Sequence, residues 1–173
     1  VRPIDDSQIV RMRNLIEEEM EAGAVGLSTG LDYICQCFSD TDELVQACEP
    51  VAKAGGIYVT HVRYKKTLLP ALEEAFEIGK RAGLPVHISH LKIHDPPSHE
   101  EVFELIDRAE ADGVEVTFDV YPYQSGSTML NYILPYEIWE NGPLAATAMM
   151  ADPVTAKRVL DAVDAYRRDL DQL

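Results

Sequence analysis

The sequence is short of positive charge, of cysteine and of long apolar runs, and each shortage removes a class of function. Fifteen Lys and Arg stand against thirty Asp and Glu, a formal net charge of -15 with a pI near 4.6. Nucleic acids and anionic membranes are met by basic surface, so neither is an expected partner. The three cysteines, Cys35, Cys37 and Cys48, are an odd count. Cys35-x-Cys37 lacks the Cys-x-x-Cys spacing of a redox or structural zinc motif, which leaves free thiols in a reducing, cytoplasmic setting as the expectation. No stretch approaches the roughly 18 apolar residues that span a bilayer. The opening Val1-Arg2-Pro3-Ile4-Asp5-Asp6 has neither an initiator Met nor the form of a signal peptide. The chain reads as an internal piece of something longer, with any targeting segment out of view. What is present is globular: 46% hydrophobic and 26% charged residues, with ten glycines and ten prolines among 173 residues, enough for a real core.

The apolar pattern alternates between two periods. Asp6 or Ser7 is positioned to cap a helix with apolar residues at Ile9, Met12, Leu15, Ile16 and Met20, closed by Gly23. A short run, Ala24 to Gly30, follows. A helix from about Thr41 to Ala54 then leads through Gly55-Gly56 into the strand Ile57 to His61. The next helix, about Leu69 to Ala82, stops at Gly83 before the strand Val86 to His90, and Ser98 caps a fourth helix to Ala111 before Val114 to Asp119. Four such units at steps of about 30 residues predict parallel strands joined by helical crossovers. After Tyr121-Pro122-Tyr123 the rhythm breaks, so 124–150 is expected to be an irregular segment and 151–170 a charged helix. Two α/β architectures accommodate the rhythm: a doubly wound open sheet, or part of a (β/α)8 barrel, which needs eight strands and about 250 residues.

In both architectures functional groups sit where strands give way to loops. Those ends read Ser28-Thr29-Gly30, Thr60-His61-x-Arg63, Ser89-His90-x-Lys92 and Asp119-x-Tyr121-Pro122-Tyr123. Two consecutive units thus close on a histidine, each followed two residues later by a cation. A single histidine at a strand end is most often a satisfied polar residue, but two that converge on one mouth are candidate zinc ligands. His87 lies inside its strand and by alternation shares a face with Ser89, not His90. His94 and His99 flank Asp95-Pro96-Pro97 as surface residues. Taken alone, Arg63 and Lys92 also read as solvated loop cations, and Tyr121 as a packing aromatic before proline.

Five ordered stretches carry a resemblance. They are Gly23-Ala24-Val25-Gly26-Leu27-Ser28-Thr29-Gly30-Leu31-x-Tyr33; Thr41-Asp42-Glu43-Leu44-Val45; Gly55-Gly56-Ile57-Tyr58-Val59-Thr60-His61-x-Arg63; Pro85-Val86-x-Ile88-Ser89-His90-x-Lys92; and Asp119-x-Tyr121-Pro122-Tyr123 with Ser127-Thr128. In order and spacing they resemble the D-aminoacylases (N-acyl-D-amino-acid deacylases) of the amidohydrolase superfamily. The resemblance implies a partial TIM barrel, strands four to seven of a metal-dependent hydrolase, with residues 1–173 as the central part of one catalytic barrel. It implies Zn2+, one or two ions in the full-length enzyme, with His61 and His90 as metal ligands. Lys92 and Tyr121 would hold the α-carboxylate of the small-molecule substrate, and Arg63 would assist them or orient an acidic group. The implied reaction is hydrolysis of an N-acyl-D-amino acid to a carboxylate and a D-amino acid by metal-activated water.

The same resemblance states what these residues do not supply. The general-base aspartate follows strand eight, so no catalytic base is expected in this chain, and Asp119, ending strand seven, is not given that role. Further ligands, a His-x-His pair and an early cysteine, belong to preceding strands, and Cys35 and Cys37 do not match that cysteine. Two histidines under-coordinate zinc, which takes three protein ligands in catalytic sites. The chain alone is therefore expected to bind metal weakly, hydrolyse nothing and associate through unpaired strand edges. Tyr64-Lys65-Lys66 stands where relatives commonly carry an acidic residue, and Ile34 to Phe38 and Asp95 to Ser98 also depart from the pattern. Cyclic-amide hydrolases such as dihydroorotases and hydantoinases are the alternative enzyme, disfavoured because Leu27-Ser28-Thr29-Gly30 offers no lysine as bridging ligand. A non-catalytic parallel α/β binding module is the alternative outside enzymes, and it would hold His61 and His90 far apart.

Overall fold

The computed structural model describes residues 4–34, 36–93, 96–123 and 126–171; Cys35 and His94 lie outside them. Two compact units divide the chain: one runs to Asp32 and over 36–122, and the other takes Tyr33 and the residues from Tyr123 onward.

The first unit holds four helix–strand pairs. α1, Asp6–Glu21, begins one residue earlier than the sequence suggests. Asp5 is its N-cap and accepts from the Gln8 amide, while the Gln8 side chain answers the Asp5 amide. β1 is Gly26–Gly30, α2 is Thr41–Lys53 behind an Asp40 cap, and β2 is Ile57–His61. α3, Leu68–Ala82, ends on Gly83 in the left-handed region, φ 76°, a conformation glycine adopts without Cβ strain. β3 is Val86–Ile88, α4 is His99–Ala111 behind a Ser98–Glu101 capping box, and β4 is Val116–Phe118.

All three strand pairings are parallel, in the order β1-β2-β3-β4. That order separates the two architectures. A doubly wound sheet reverses direction at a switch point and covers both faces with helices, whereas here strand order follows sequence order throughout. Tyr58, Thr60, Val86, Ile88 and Val116 are buried and join a core with Leu44, Val51, Leu72, Ile78, Val102 and Leu105 from the helices. Each fully buried aliphatic side chain there contributes about 1.5–3 kcal/mol. The alternate residues are open: Ser28 and Thr117 are exposed, and Val59 and His87 half-buried. One sheet face carries the helices and the other remains free for a barrel interior, which is the geometry of a (β/α)8 segment.

The second unit differs from the irregular loop expected over 124–150. It contains 3-10 turns at Leu130–Ile133 and Tyr136–Trp139 and a helix, α5, Gly142–Ala151. Pro143 sits in α5's first turn, where its missing N–H costs nothing. The alanines and methionines after it are strong helix formers that carry no amphipathic stripe to read. α6, Pro153–Asp171, follows an Asp152 carboxylate that accepts from the Thr155 amide at 2.8 Å. Tyr132, Ile138, Trp139, Ala146 and Val159 are buried within this unit. No helix of the described residues is long and apolar enough to cross a membrane.

Candidate metal and substrate site at the strand ends

His61 closes β2 opposite Gly30 of β1, and its carbonyl accepts from the Leu31 amide at 2.9 Å. The two histidines expected at equivalent positions are not equivalent. The β2–β3 register pairs Thr60 with Ile88, so the residue level with His61 is Ser89, and His90 lies one step further on. Continued as a strand, the chain would send the His90 side chain to the opposite face. Instead β3 stops at Ile88 and His90 adopts φ 42°, a left-handed conformation that costs a non-glycine residue about 1–3 kcal/mol. That turn swings the ring back. His61 Nδ1 and His90 Nε2 stand 3.1 Å apart, with ring centroids at 4.8 Å.

The strained turn is held from two sides. Asp119, just past β4, accepts the His90 amide on Oδ1 at 2.7 Å. The Tyr64 hydroxyl donates toward the Ser89 and His90 carbonyls at 3.2 and 3.1 Å. Asp119 Oδ2 also meets His87 Nε2 at 2.9 Å, and His87 Nδ1 meets the Thr117 hydroxyl at 2.8 Å. The His87 hydrogen bond leads the causes that hold the Asp119 carboxyl below its ordinary pKa. His87 thus braces Asp119, which in turn braces His90. Desolvation, aided by the neighbouring His61 and Lys92, lowers the His90 pKa, favouring the neutral imidazole that a metal needs. His90 Nδ1 is the one buried side-chain nitrogen or oxygen without a partner among the described residues.

Lys92 and Tyr121 join the two histidines. The Lys92 ammonium lies 5.4 Å from the Tyr64 ring centroid and 5.6 Å from that of Tyr121, within cation–π range. The Tyr121 and His90 rings are 6.4 Å apart. Burial pushes the Tyr64 hydroxyl well above its usual pKa, so it stays a donor. Arg63 goes elsewhere. Only 4% exposed, it donates from Nε to Glu74 at 2.7 Å, from Nη1 to the Cys37 carbonyl at 2.8 Å and from Nη2 to the Ser39 carbonyl at 2.5 Å. His99 is exposed at the start of α4.

Asp32 is a site residue that the sequence pattern does not single out. It is 2% exposed, and its Oδ2 lies 3.1 Å from His61 Nε2. Its signal was an acidic residue set directly after a strand end between Leu31 and Tyr33, in a position that the resemblance leaves unspecified.

The donor set suits a metal in part. Two zinc–nitrogen bonds of about 2.0–2.1 Å at a tetrahedral angle place their nitrogens roughly 3.3 Å apart, close to the 3.1 Å between His61 Nδ1 and His90 Nε2. Among the described residues, however, no group of three or more His, Cys, Asp or Glu is arranged to hold an ion. The chain presents two nitrogen donors and not a closed cage.

Parallel β/α units that turn two histidines into one mouth define a segment of an amidohydrolase barrel, and comparison with known proteins agrees. The D-aminoacylase of Alcaligenes xylosoxydans xylosoxydans is 42% identical over 133 residues, 75% of this chain and 27% of that protein. Two solved D-aminoacylase structures match with TM-scores of 0.68 and 0.69 at 37% and 35% identity, over 75% and 77% of this chain and 28% and 29% of theirs. One is described as defining a novel subset of amidohydrolases, and the other concerns a binuclear metal centre. An N-acyl-D-glutamate deacylase from Bordetella bronchiseptica, solved with zinc and a phosphonate inhibitor, matches at 31% identity and TM-score 0.66 over 70% of this chain and 26% of that one. No family profile matches the chain. The chain belongs to the D-aminoacylase group of amidohydrolases, and it spans about a quarter of the length of the relatives it matches.

Proposed function

We propose that the protein is a zinc-dependent hydrolase of N-acyl-D-amino acids, with His61 and His90 as two of the metal's nitrogen ligands. Lys92 and Tyr121 hold the substrate α-carboxylate, the lysine as a cation and the phenol as a donor. The observation that carries this is the approach of His61 Nδ1 and His90 Nε2 to 3.1 Å, maintained by a backbone conformation that a histidine adopts only under strain. When bound, zinc acidifies water and polarises the scissile carbonyl. This chain's residues position: Asp119 and Tyr64 hold His90, while Lys92, between two aromatic rings, sets the charge that a carboxylate meets. Arg63, expected beside Lys92 or behind an acidic group, takes the second role in this reading, which its hydrogen bonds to Glu74 and to the Cys37 and Ser39 carbonyls support. Asp119 is engaged by His87 and the His90 amide, so it is not assigned as a base. The substrate is a small molecule. The two open sheet edges, β1 and β4, are the surfaces for self-association, and the buried thiols of Cys37 and Cys48 suit a reducing cytoplasm.

The test is a transplant. The matched segment of the Alcaligenes D-aminoacylase is replaced by the corresponding residues of this chain, and turnover of N-acetyl-D-methionine is followed. The chimera is expected to hydrolyse it, and His61→Ala or His90→Ala to lower kcat/KM by about 10³-fold or more, the scale on which removing a metal-site function acts. The 173-residue chain alone is expected to bind zinc weakly and to show no turnover. An active chimera indifferent to both histidines overturns the assignment, and tight stoichiometric zinc binding by the isolated chain overturns the expectation that its ligand set is incomplete.

A further inference from the structure

We infer that Asp32 is a positioning residue that fixes which nitrogen of His61 carries the proton, and so turns the His61 Nδ1 lone pair toward His90. The inference rests on His61 and His90 being metal ligands. A ligating imidazole must offer a lone pair, and the hydrogen bond at its other nitrogen decides which nitrogen that is. Asp32 Oδ2 stands 3.1 Å from His61 Nε2, with the Asp32 side chain fully buried. An ionised carboxylate only accepts, so the proton sits on Nε2 and Nδ1 is left bare.

The neighbours agree with that assignment. The Lys65 amide points at both Asp32 oxygens, at 3.4 and 3.3 Å, which places a second donor on the carboxylate. On the far side, His61 Nδ1 accepts across the 3.1 Å gap from His90 Nε2. His90 Nδ1, the buried atom without a partner, is then a bare lone pair, which is less costly to bury than an orphaned N–H. One proton arrangement therefore satisfies the line Asp32–His61–His90. Asp32 is placed for this by the connection after β1, where the Leu31 amide bonds the His61 carbonyl at 2.9 Å and Arg63 holds the Cys37 carbonyl at 2.8 Å.

Long-range 1H–15N spectra of the metal-free 173-residue chain, with labelled histidines, read the tautomer directly. His61 is expected as the Nε2–H form. In Asp32→Asn the amide oxygen faces the Lys65 N–H and the NH2 group faces His61, so the expected result is a shift to the Nδ1–H form. Titration with zinc chloride, followed on the same resonances, should show affinity weakened about 10–100-fold in Asp32→Asn, the usual effect of losing such a partner, with partial recovery in Asp32→Glu. An Nδ1–H tautomer in the unsubstituted chain overturns the inference even if no variant folds. An Asp32→Asn chain with unchanged tautomer and affinity also overturns it. If zinc perturbs neither His61 nor His90, the metal assignment fails, and the metal-free spectrum still decides the role of Asp32.

Discussion

Arg63→Ala is expected to lower stability by about 3–5 kcal/mol, the usual cost of removing one partner from a buried, hydrogen-bonded ion pair. The Arg63 and Glu74 side chains are 5% and 16% exposed, so solvent cannot replace what is lost. Four acceptors depend on the guanidinium: the Glu74 carboxylate and the carbonyls of Leu31, Cys37 and Ser39. Its planar fork reaches β1's exit and α3 at once. Lysine, with one compact charge, can meet Glu74 but not three separated carbonyls, so Arg63→Lys should recover only part of the loss. Removing both charges, in Arg63→Met with Glu74→Leu, should cost less than Arg63→Ala because no charge is left buried alone. Urea unfolding of the unsubstituted chain, Arg63→Met, Glu74→Leu and the double variant measures the pair as a double-mutant cycle, with Arg63→Ala and Arg63→Lys read against the same reference. A midpoint change in Arg63→Ala worth under about 1 kcal/mol would place the residue among ordinary surface cations. Amide exchange should rise first over 36–39, the turn that Arg63 pins.

How much of this was legible in the sequence depended on whether the cause was local. The β/α rhythm was, because glycine stops, Ser98-x-x-Glu101 and the apolar periods each act within a few residues. Locality did not fix the α1 boundary, because Asp5, Asp6 and Ser7 stand side by side as possible caps and the Gln8 side chain selects Asp5. The pairing of His61 with His90 was also readable, but for an incomplete reason. Aligned by motif they look equivalent; by register they are one residue apart, and a left-handed turn reconciles them. That turn depends on Asp119 and Tyr64, residues 29 and 26 positions from their His90 partner atoms, which no local pattern announces. Asp32 was hidden for the same reason, lying 29 residues from His61. Arg63 stands out in the sequence by its charge, yet its direction is set by Glu74 on α3 and by carbonyls of an aperiodic connection.

Gly26→Ala is expected to cost about 3 kcal/mol, at the upper end for overpacking, and to act on the site from a distance. A Cβ at Gly26 would stand 2.2 Å from the Ile57 carbonyl oxygen and 2.9 Å from the Ile57 Cγ2. The first contact is with backbone, so no rotamer change relieves it. Two effects oppose the clash. Alanine restricts the unfolded chain, worth about 0.4–1 kcal/mol, and β1 lies at the edge of the sheet, free to move outward on one side. Neither is sufficient: the first is several-fold too small, and the second breaks the ladder that pairs Gly26 to Gly30 with Ile57 to His61. That ladder delivers Asp32 to His61, so Gly26→Ala should loosen the His61 ring although it lies four residues from the strand's far end. Urea midpoints give the energy, and faster exchange of the Leu31 amide, bonded to the His61 carbonyl, gives the route. A stable Gly26→Ala protein whose Leu31 amide stays protected would show that β1 accommodates the methyl group without moving, and would detach this glycine from the placement of Asp32.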